Sequence, residues 1–280
     1  MKASYSRIGC YGFCPKKYDY RYVQERPAPV KPELAFGVSL HKALEENFQQ
    51  KLVSRRDLSL EEATALFRRV LDERLAAVPE EFLRGAADFH YLRALGEHFL
   101  ERFLKERAPA LQPAPRGVEC SFRLPLPGGY EITGQFDLLD TDWVLHDFKT
   151  SNKPYDPKRA DRTQLVIYAW ACEQMFGRPP SRLCFDVFVK GDGAGGAADG
   201  AAGLQAPVFF PTPAPDEMAQ VARRLSALLD RINAARAKDD FPRSFEPPRC
   251  HWCEYQETCR AEWETEGRPA PVRVSLGSLT

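Results

Sequence analysis

The chain has 280 residues, of which 44% are hydrophobic, enough for one large core or one core with an added helical lobe. Its 39 basic residues balance 39 acidic ones, which argues against a protein that coats nucleic acid indiscriminately but allows a local basic groove. There is no apolar run of about eighteen residues and no apolar leader segment, so we expect a soluble cytoplasmic protein.

The first part of the chain is predicted to be helical. Residues 37–52 carry apolar side chains at helical spacing, and His41 lies near that stripe, so its side chain is expected to face the protein. Ser59 and Glu62 have the spacing of a capping box, which indicates the start of a second helix. A further helix is predicted over roughly residues 81–107.

After a Pro-rich linker at 108–115, the pattern changes to the period of two that is typical of strands. A β-β-β-α-β order follows, with strands at 117–124, 130–140 and 143–149, a helix at 160–176 and a strand at 182–190. A Gly/Ala-rich loop, a short strand and an amphipathic helix come next, over 191–204, 206–210 and Met218 to Ile232. We therefore predict an α/β fold with a mixed sheet flanked by helices. The predicted domains are a helical lobe at 1–115, an α/β core at 116–240 and a Cys-rich tail at 241–280.

The most informative residues lie on the predicted hairpin. Side chains alternate along a strand, so Asp147 and Lys149 share one face, and a turn near Asp142 sets Asp137 almost opposite Asp147. Two carboxylates at that distance repel one another unless a cation neutralises them, and Mg²⁺ or Mn²⁺ prefers such oxygen ligands. An ion held there, with the Phe148 carbonyl as a further ligand, would polarise a phosphate and activate water beside the lysine. The alternative is a solvated edge strand, which the apolar flanks of this segment disfavour.

The helix that follows the hairpin carries two polar residues on one face. Gln164 and Tyr168 are four residues apart, so a helix packed beside the hairpin would bring both to the rim of the metal site. There they could touch phosphate or the attacking water. The alternative is that both are ordinary residues at the edge of the core.

Eight cysteines in a cytosolic-looking chain are not expected to form disulfides. Four of them have apolar or strand-like neighbours and are interpreted as core residues: Cys10, Cys120, Cys172 and Cys184. Cys250, Cys253 and Cys259 form a C-x2-C-x5-C array, which suits either a [4Fe–4S] cluster or zinc. Cys14 is the candidate for a fourth ligand, and Cys10 is its rival.

Together these segments resemble the RecB-like branch of the PD-(D/E)XK nuclease superfamily, which includes AddB-type nuclease domains and CRISPR-associated exonucleases with an iron–sulfur cluster. The resemblance covers residues 4–259 in the family's order. It rests on Ser4-x-Ser6-Arg7-Ile8-x-x-Tyr11-x-x-Cys14-Pro15, Gly37-x-x-x-His41, Val118-Glu119, Gly134-x-x-Asp137, Asp147-Phe148-Lys149-Thr150, Gln164-x-x-x-Tyr168 and the late cysteine array.

The resemblance implies a restriction-endonuclease-like fold and a specific set of roles. His41, Asp137 and Asp147, with the Phe148 carbonyl, would hold Mg²⁺ or Mn²⁺, and Glu119 matches the family's acidic residue on the first strand. Lys149 would stabilise charge, while Gln164 and Tyr168 would orient DNA or water. The cluster would be [4Fe–4S] rather than zinc, with Cys14, Cys250, Cys253 and Cys259 as its structural ligands.

The implied activity is hydrolysis of DNA phosphodiester bonds by an exonuclease that prefers single strands or free ends, in repair or recombination. No G-x-x-x-x-G-K-[ST] motif occurs, so a helicase would be a separate partner chain. Two alternatives stay open. One is a CRISPR-adaptation nuclease that binds an integrase, and the other is a non-catalytic DNA-binding subunit of a helicase–nuclease complex.

Overall fold

A computed structural model describes residues 1–27, 32–78, 89–191, 202–251 and 253–266. The chain forms two compact units. Unit 1 comprises Met1–Pro29, Pro125–Ile132 and Arg223–Thr280, and unit 2 comprises Val30–Leu124 and Thr133–Ala222. Most of the predicted Gly/Ala-rich loop, and the first residues of the helix predicted at 81–107, lie outside the described residues. The three predicted domains remain a prediction.

Unit 1 gathers the beginning and the end of the chain. Its elements are β1 (Lys2–Ser4), α1 (Tyr5–Phe13), α2 (Pro15–Tyr22), the part of α7 (Pro215–Lys238) from Arg223 onward, α8 (Pro247–His251) and α9 (Gln256–Thr265). Ser4 caps α1, because its hydroxyl accepts from the Arg7 N–H at 3.1 Å. Tyr18 and Tyr20 are fully buried, and Tyr18 stacks on Phe241 with ring centroids 6.2 Å apart. Tyr18 and Tyr20 are therefore core residues of this unit.

The helices of unit 2 confirm the predicted helical region. They are α3 (Pro32–Ser54), α4 (Leu60–Leu75), α5 (Phe89–Glu106) and a short 3-10 turn at Ala108–Ala110. The capping box predicted before α4 is present, since Ser59 Oγ accepts from Glu62 N–H at 3.2 Å and Glu62 accepts from Ser59 N–H at 2.9 Å. No described helix is long and apolar enough to cross a membrane.

The predicted β-β-β-α-β order is also confirmed. It consists of β2 (Pro113–Leu126), β3 (Tyr130–Asp140), β4 (Val144–Ser151), α6 (Thr163–Phe176) and β5 (Arg182–Val189). β2 pairs with β3, β3 is antiparallel to β4, and β4 is parallel to β5 through the crossover helix α6. β6 (Gly203–Leu204) and β7 (Val208–Pro211) both pair with β5 in antiparallel fashion.

The linker prediction at 108–115 is wrong. The segment contains the 3-10 turn, and β2 already begins at Pro113. β2 is paired with β3 but with no second strand among the described residues, and an edge strand tolerates prolines because one row of its N–H groups needs no partner. The Pro and Ala spacing of this segment therefore resembled that of a linker, although the segment forms a turn and the start of a strand.

A buried network of charged residues links β4 and β5. Both ring nitrogens of His146 meet acids: Nδ1 lies 2.8 Å from Asp186, and Nε2 lies 3.1 Å from Asp140. Arg107 donates to the other Asp186 oxygen at 2.6 Å. Burial opposes protonation of His146, but the hydrogen bonds to the two acids outweigh it and raise its pKa well above the usual value. Because these groups already satisfy one another, we interpret the network as structural.

Candidate active site

The two hairpin acids face one another as the strand pattern predicts. The register of β3 and β4 pairs Leu138 with His146 and Leu139 with Leu145, so Asp137 stands opposite Asp147. The Phe148 N–H donates to Asp137 Oδ2 at 2.7 Å, which fixes that carboxylate against β4. Both side chains are largely buried, with 12% of Asp137 and 3% of Asp147 exposed.

Two further residues join Asp137 from other elements of unit 2. His41 on α3 and Glu119 on β2 each place a ligand atom so that the three atoms all lie within 4.8 Å of one another. His41 Nδ1 is 3.8 Å from Asp137 Oδ1, and its side chain remains 36% exposed. The expectation that His41 faces the protein is therefore met only in part, because the ring also borders an open cleft.

Glu119 reaches the site through unusual backbone geometry. Its φ is +46°, in the left-handed region that side chains other than glycine rarely adopt. The side-chain amide of Gln135 donates to the Glu119 carbonyl at 2.9 Å and supports this conformation. Such conformations concentrate at functional sites, where the surrounding structure holds them. Residue pattern alone did not single out Glu119, which only the family resemblance indicated.

Lys149, Gln164 and Tyr168 form one connected chain beside the acids. Lys149 Nζ lies 2.6 Å from Asp147 Oδ2 and donates to Gln164 Oε1 at 2.9 Å. The Gln164 amide in turn donates to the Tyr168 hydroxyl at 2.6 Å. The predicted face of α6 thus meets the predicted face of β4, and the structure brings every sequence-predicted residue of the hairpin and this helix together.

The surroundings of the site favour the neutral form of its acids. Burial is the main cause for each, and neighbouring acids add to it: the pKa of Glu119 rises to about 8, that of Asp137 to about 6 and that of Asp147 to about 7. The pKa of His41 is lowered, mainly by burial. Burial opposes protonation of Lys149, but Asp147 outweighs it and raises the lysine pKa. A lysine with a raised pKa stays charged and can stabilise developing negative charge.

These residues fit a divalent cation. Asp147 is buried, and the close contact that the structure gives its Oδ2 is the ion pair with Lys149 Nζ at 2.6 Å. The ammonium has three N–H donors, so it pairs with Asp147 and donates to Gln164 at the same time. A buried carboxylate beside an imidazole and two further carboxylates is a donor set suited to Mg²⁺ or Mn²⁺. The ring of His41 also interacts with the Phe148 backbone, so the carbonyl predicted as a ligand borders the same cluster.

Glycine at position 134 has a packing role. A Cβ there would lie 2.6 Å from the ring of Phe122, which leaves no room for a side chain. At Gly37 an added Cβ would meet only Thr150 Oγ1, at 3.5 Å. A cleft of about 1090 Å³, bordered by Gly37, His41 and Glu119, opens the site to solvent.

The four candidate cluster ligands all belong to unit 1. Cys14, Cys250, Cys253 and Cys259 are partly exposed, whereas the four cysteines interpreted as core residues are buried. Burial, and after it the Cys14 and Cys259 thiols, raise the pKa of Cys250. Burial also raises the pKa of the rival Cys10, to about 11, as it raises that of Cys253.

Hydrogen bonds and an ion pair connect the N-terminal helices with the tail that carries three of these thiols. The Tyr20 hydroxyl donates to Glu262 at 2.5 Å, and Lys17 pairs with Glu254 at 2.7 Å. Arg249 donates to the Phe13 carbonyl, next to Cys14, at 3.0 Å. Side-chain contacts thus join the two ends of the chain within unit 1, whereas a connection through a metal cluster stays a prediction.

The fold is a mixed sheet flanked by helices. Two acids face each other from neighbouring strands, and a lysine lies on the same strand as one of them. Together these features define a class of divalent-metal-dependent phosphodiester hydrolases. The chain belongs to the PD-(D/E)XK nuclease superfamily, whose pattern it matches over residues 2–260. A crystal structure of a Eubacterium rectale protein that has been assigned as an exonuclease is similar at a TM-score of 0.53 and 10% identity, covering 85% of this chain and 83% of that one. This likeness shows the fold. The protein SSO0001 aligns at a TM-score of 0.34 and 16% identity, over 81% of this chain and 96% of its own. No curated protein matches the sequence.

Proposed function

We propose that the chain is a Mg²⁺- or Mn²⁺-dependent deoxyribonuclease that acts on single-stranded or open-ended DNA. The observation that carries the proposal is the cluster of His41, Glu119 and Asp137 ligand atoms, with the buried carboxylate of Asp147 opposite Asp137. Membership of the superfamily supports phosphodiester hydrolysis. The preference for DNA ends, and a role in repair with a separate helicase, rest on the RecB-like motifs.

His41, Glu119, Asp137 and Asp147 would hold the ion. When bound, it supplies Lewis-acid polarisation of the scissile phosphate and lowers the pKa of a water molecule. Lys149, charged and directed by Gln164, stabilises negative charge on the phosphate oxygens and orients the nucleophile. Tyr168 holds the Gln164 amide, so the lysine keeps one position.

The test is cleavage of labelled single-stranded DNA in Mn²⁺ by the wild type and by Asp147→Asn. We expect the variant to lose activity by at least about 10²-fold while its circular dichroism is unchanged. Asp72→Asn, which removes an exposed carboxylate paired with Arg93 on the helices, is the matched control and should cut normally. Full activity in Asp147→Asn would remove the proposed site.

We also propose that Cys14, Cys250, Cys253 and Cys259 hold a structural [4Fe–4S] cluster. Their partial exposure and the side-chain bridges of unit 1 support this, and the family resemblance supplies the identity of the metal.

Anaerobically purified protein should be brown, contain iron and absorb near about 400 nm. Cys14→Ala should bleach it, and Cys10→Ala should leave the colour because that thiol is buried. A colourless protein with stoichiometric zinc would contradict the cluster.

A further inference from the structure

We propose that the loop of residues 152–160, between β4 and α6, is a clamp for the sugar–phosphate backbone of the DNA strand, with Lys153 and Lys158 as its phosphate contacts. The proposal rests on the nuclease function above and extends it to substrate binding. It assigns these lysines, and a positioning role for Gln205, to a region outside the metal cluster.

The loop is fastened to the sheet at its centre. The Tyr155 N–H donates to Gln205 Oε1 at 2.8 Å, and Gln205 Nε2 donates back to the Tyr155 carbonyl at 2.8 Å. Gln205 itself is fixed, because its N–H donates to the Val187 carbonyl of β5 at 2.9 Å. One glutamine side chain thus saturates both backbone groups of a loop residue, as a neighbouring strand would.

The fastened loop lies beside the proposed catalytic lysine. The Tyr155 ring packs edge-on against Phe185 with centroids 5.3 Å apart, and Lys149 Nζ lies 5.8 Å from the centroid of that same Phe185 ring. Tyr155 and Lys149 therefore flank one aromatic side chain. In the proposed complex, the strand whose scissile phosphate meets Lys149 continues along this loop.

The loop carries two lysine side chains that form no ion pair with the described part of the protein. Lys153 and Lys158 are exposed, and among the described residues neither side chain has a hydrogen-bonding or ion-pair partner. The acid between them has other partners: Asp156 Oδ1 accepts from the Lys158 N–H at 2.9 Å, and its Oδ2 lies 4.0 Å from Arg159 Nε. Unpaired ammonium groups beside a phosphodiesterase site attract backbone phosphates.

Arg162, by contrast, is committed to the fold. Its guanidinium makes two hydrogen bonds to Glu217, at 2.5 and 2.6 Å. This pair anchors the end of the loop where α6 begins. Pro154 and Pro157 further limit the backbone conformations of the loop, so less conformational entropy is lost on binding.

The experiment compares Lys153→Ala/Lys158→Ala with a matched control, Lys105→Ala/Lys238→Ala, which removes two exposed lysines elsewhere. Binding of a fluorescent single-stranded oligodeoxynucleotide is measured by anisotropy in Ca²⁺ over a range of salt concentrations. We expect roughly tenfold weaker binding at low salt, and a slope of log affinity against log salt that is shallower by about 1.4, or about 0.7 per lost phosphate contact. The control should change neither quantity by more than a small fraction of that.

Kinetics separate the clamp from the chemistry. The double variant should raise KM for DNA with kcat within about twofold, and should hydrolyse bis(p-nitrophenyl) phosphate in Mn²⁺ like the wild type, because this small ester has no flanking phosphates. Gln205→Ala should show the same split, which a general loss of folding would not produce. Unchanged affinity and salt slope in the lysine variant would overturn the clamp and leave the nuclease assignment intact. A wild type that binds DNA through these lysines but hydrolyses neither substrate would remove the nuclease function and keep the clamp.

Discussion

Glu119 offers the sharpest test of the electrostatics of the site. Its carboxyl is partly buried near Asp137, and its pKa rises from 4.5 to about 8, first through burial and then through the neighbouring acids. The folded protein therefore holds a proton that the unfolded chain has lost between these two pH values. The stability of the metal-free protein consequently falls as pH rises from about 4.5 through about 8.

Glu119→Gln removes the ionisation and keeps the shape. One pKa unit corresponds to about 1.4 kcal/mol, so the full shift would amount to about 5 kcal/mol, and partial exposure reduces this to about 2–3 kcal/mol at pH 8. Near pH 5 the folded and unfolded wild type differ far less in the protonation of Glu119. The variant's gain in free energy of unfolding should therefore be below about 1 kcal/mol there. In EDTA the variant should thus be the more stable protein at the higher pH.

The assay is urea unfolding at the two pH values, in EDTA and again with Mn²⁺. Mn²⁺ should stabilise the wild type strongly at pH 8 and the variant much less, because the variant lacks one ligand. Glu101→Gln, on the exposed side of α5, is the control and should match the wild type in each condition. The reasoning is refuted if Glu119→Gln is less stable than the wild type in EDTA at pH 8, or if Mn²⁺ stabilises both proteins equally.

Three further outcomes follow from the same geometry. Lys149→Gln should keep Mn²⁺ binding by calorimetry but lose about 10²-fold or more in kcat, and normal turnover would refute its role. Gly134→Ala should lower the free energy of unfolding by about 1–3 kcal/mol, since the new Cβ meets the Phe122 ring, and an unchanged urea midpoint would contradict this. Asp186→Asn should cost about 3–5 kcal/mol in urea unfolding, because it removes the buried anion that pairs with the largely buried Arg107; a loss below about 1 kcal/mol would show that the network is not structural.

Local patterns were sufficient for much of the fold and for the hairpin site. The capping box before α4 and the alternation along β4 each depend on neighbours within a few residues, and both are present. The pairing of Asp137 with Asp147 followed from turn position alone. Gln164 and Tyr168 needed only helical periodicity to be placed on one face of α6.

What the sequence could not supply depends on distant contacts. Asp186 looked like any residue of a strand, yet it pairs with Arg107, 79 positions away in the chain. The positive φ of Glu119 is invisible in its own residue type and is supported by Gln135 on the next strand. Gln205 stands 50 positions from Tyr155, and no spacing rule links a glutamine side chain to a loop backbone.

The most direct test of the account is anomalous diffraction from crystals soaked in Mn²⁺. We expect a peak at bonding distance from His41, Glu119, Asp137 and Asp147, and its loss in crystals of Asp147→Asn. A peak only at surface acids elsewhere, with none beside the hairpin, would contradict the metal-dependent site.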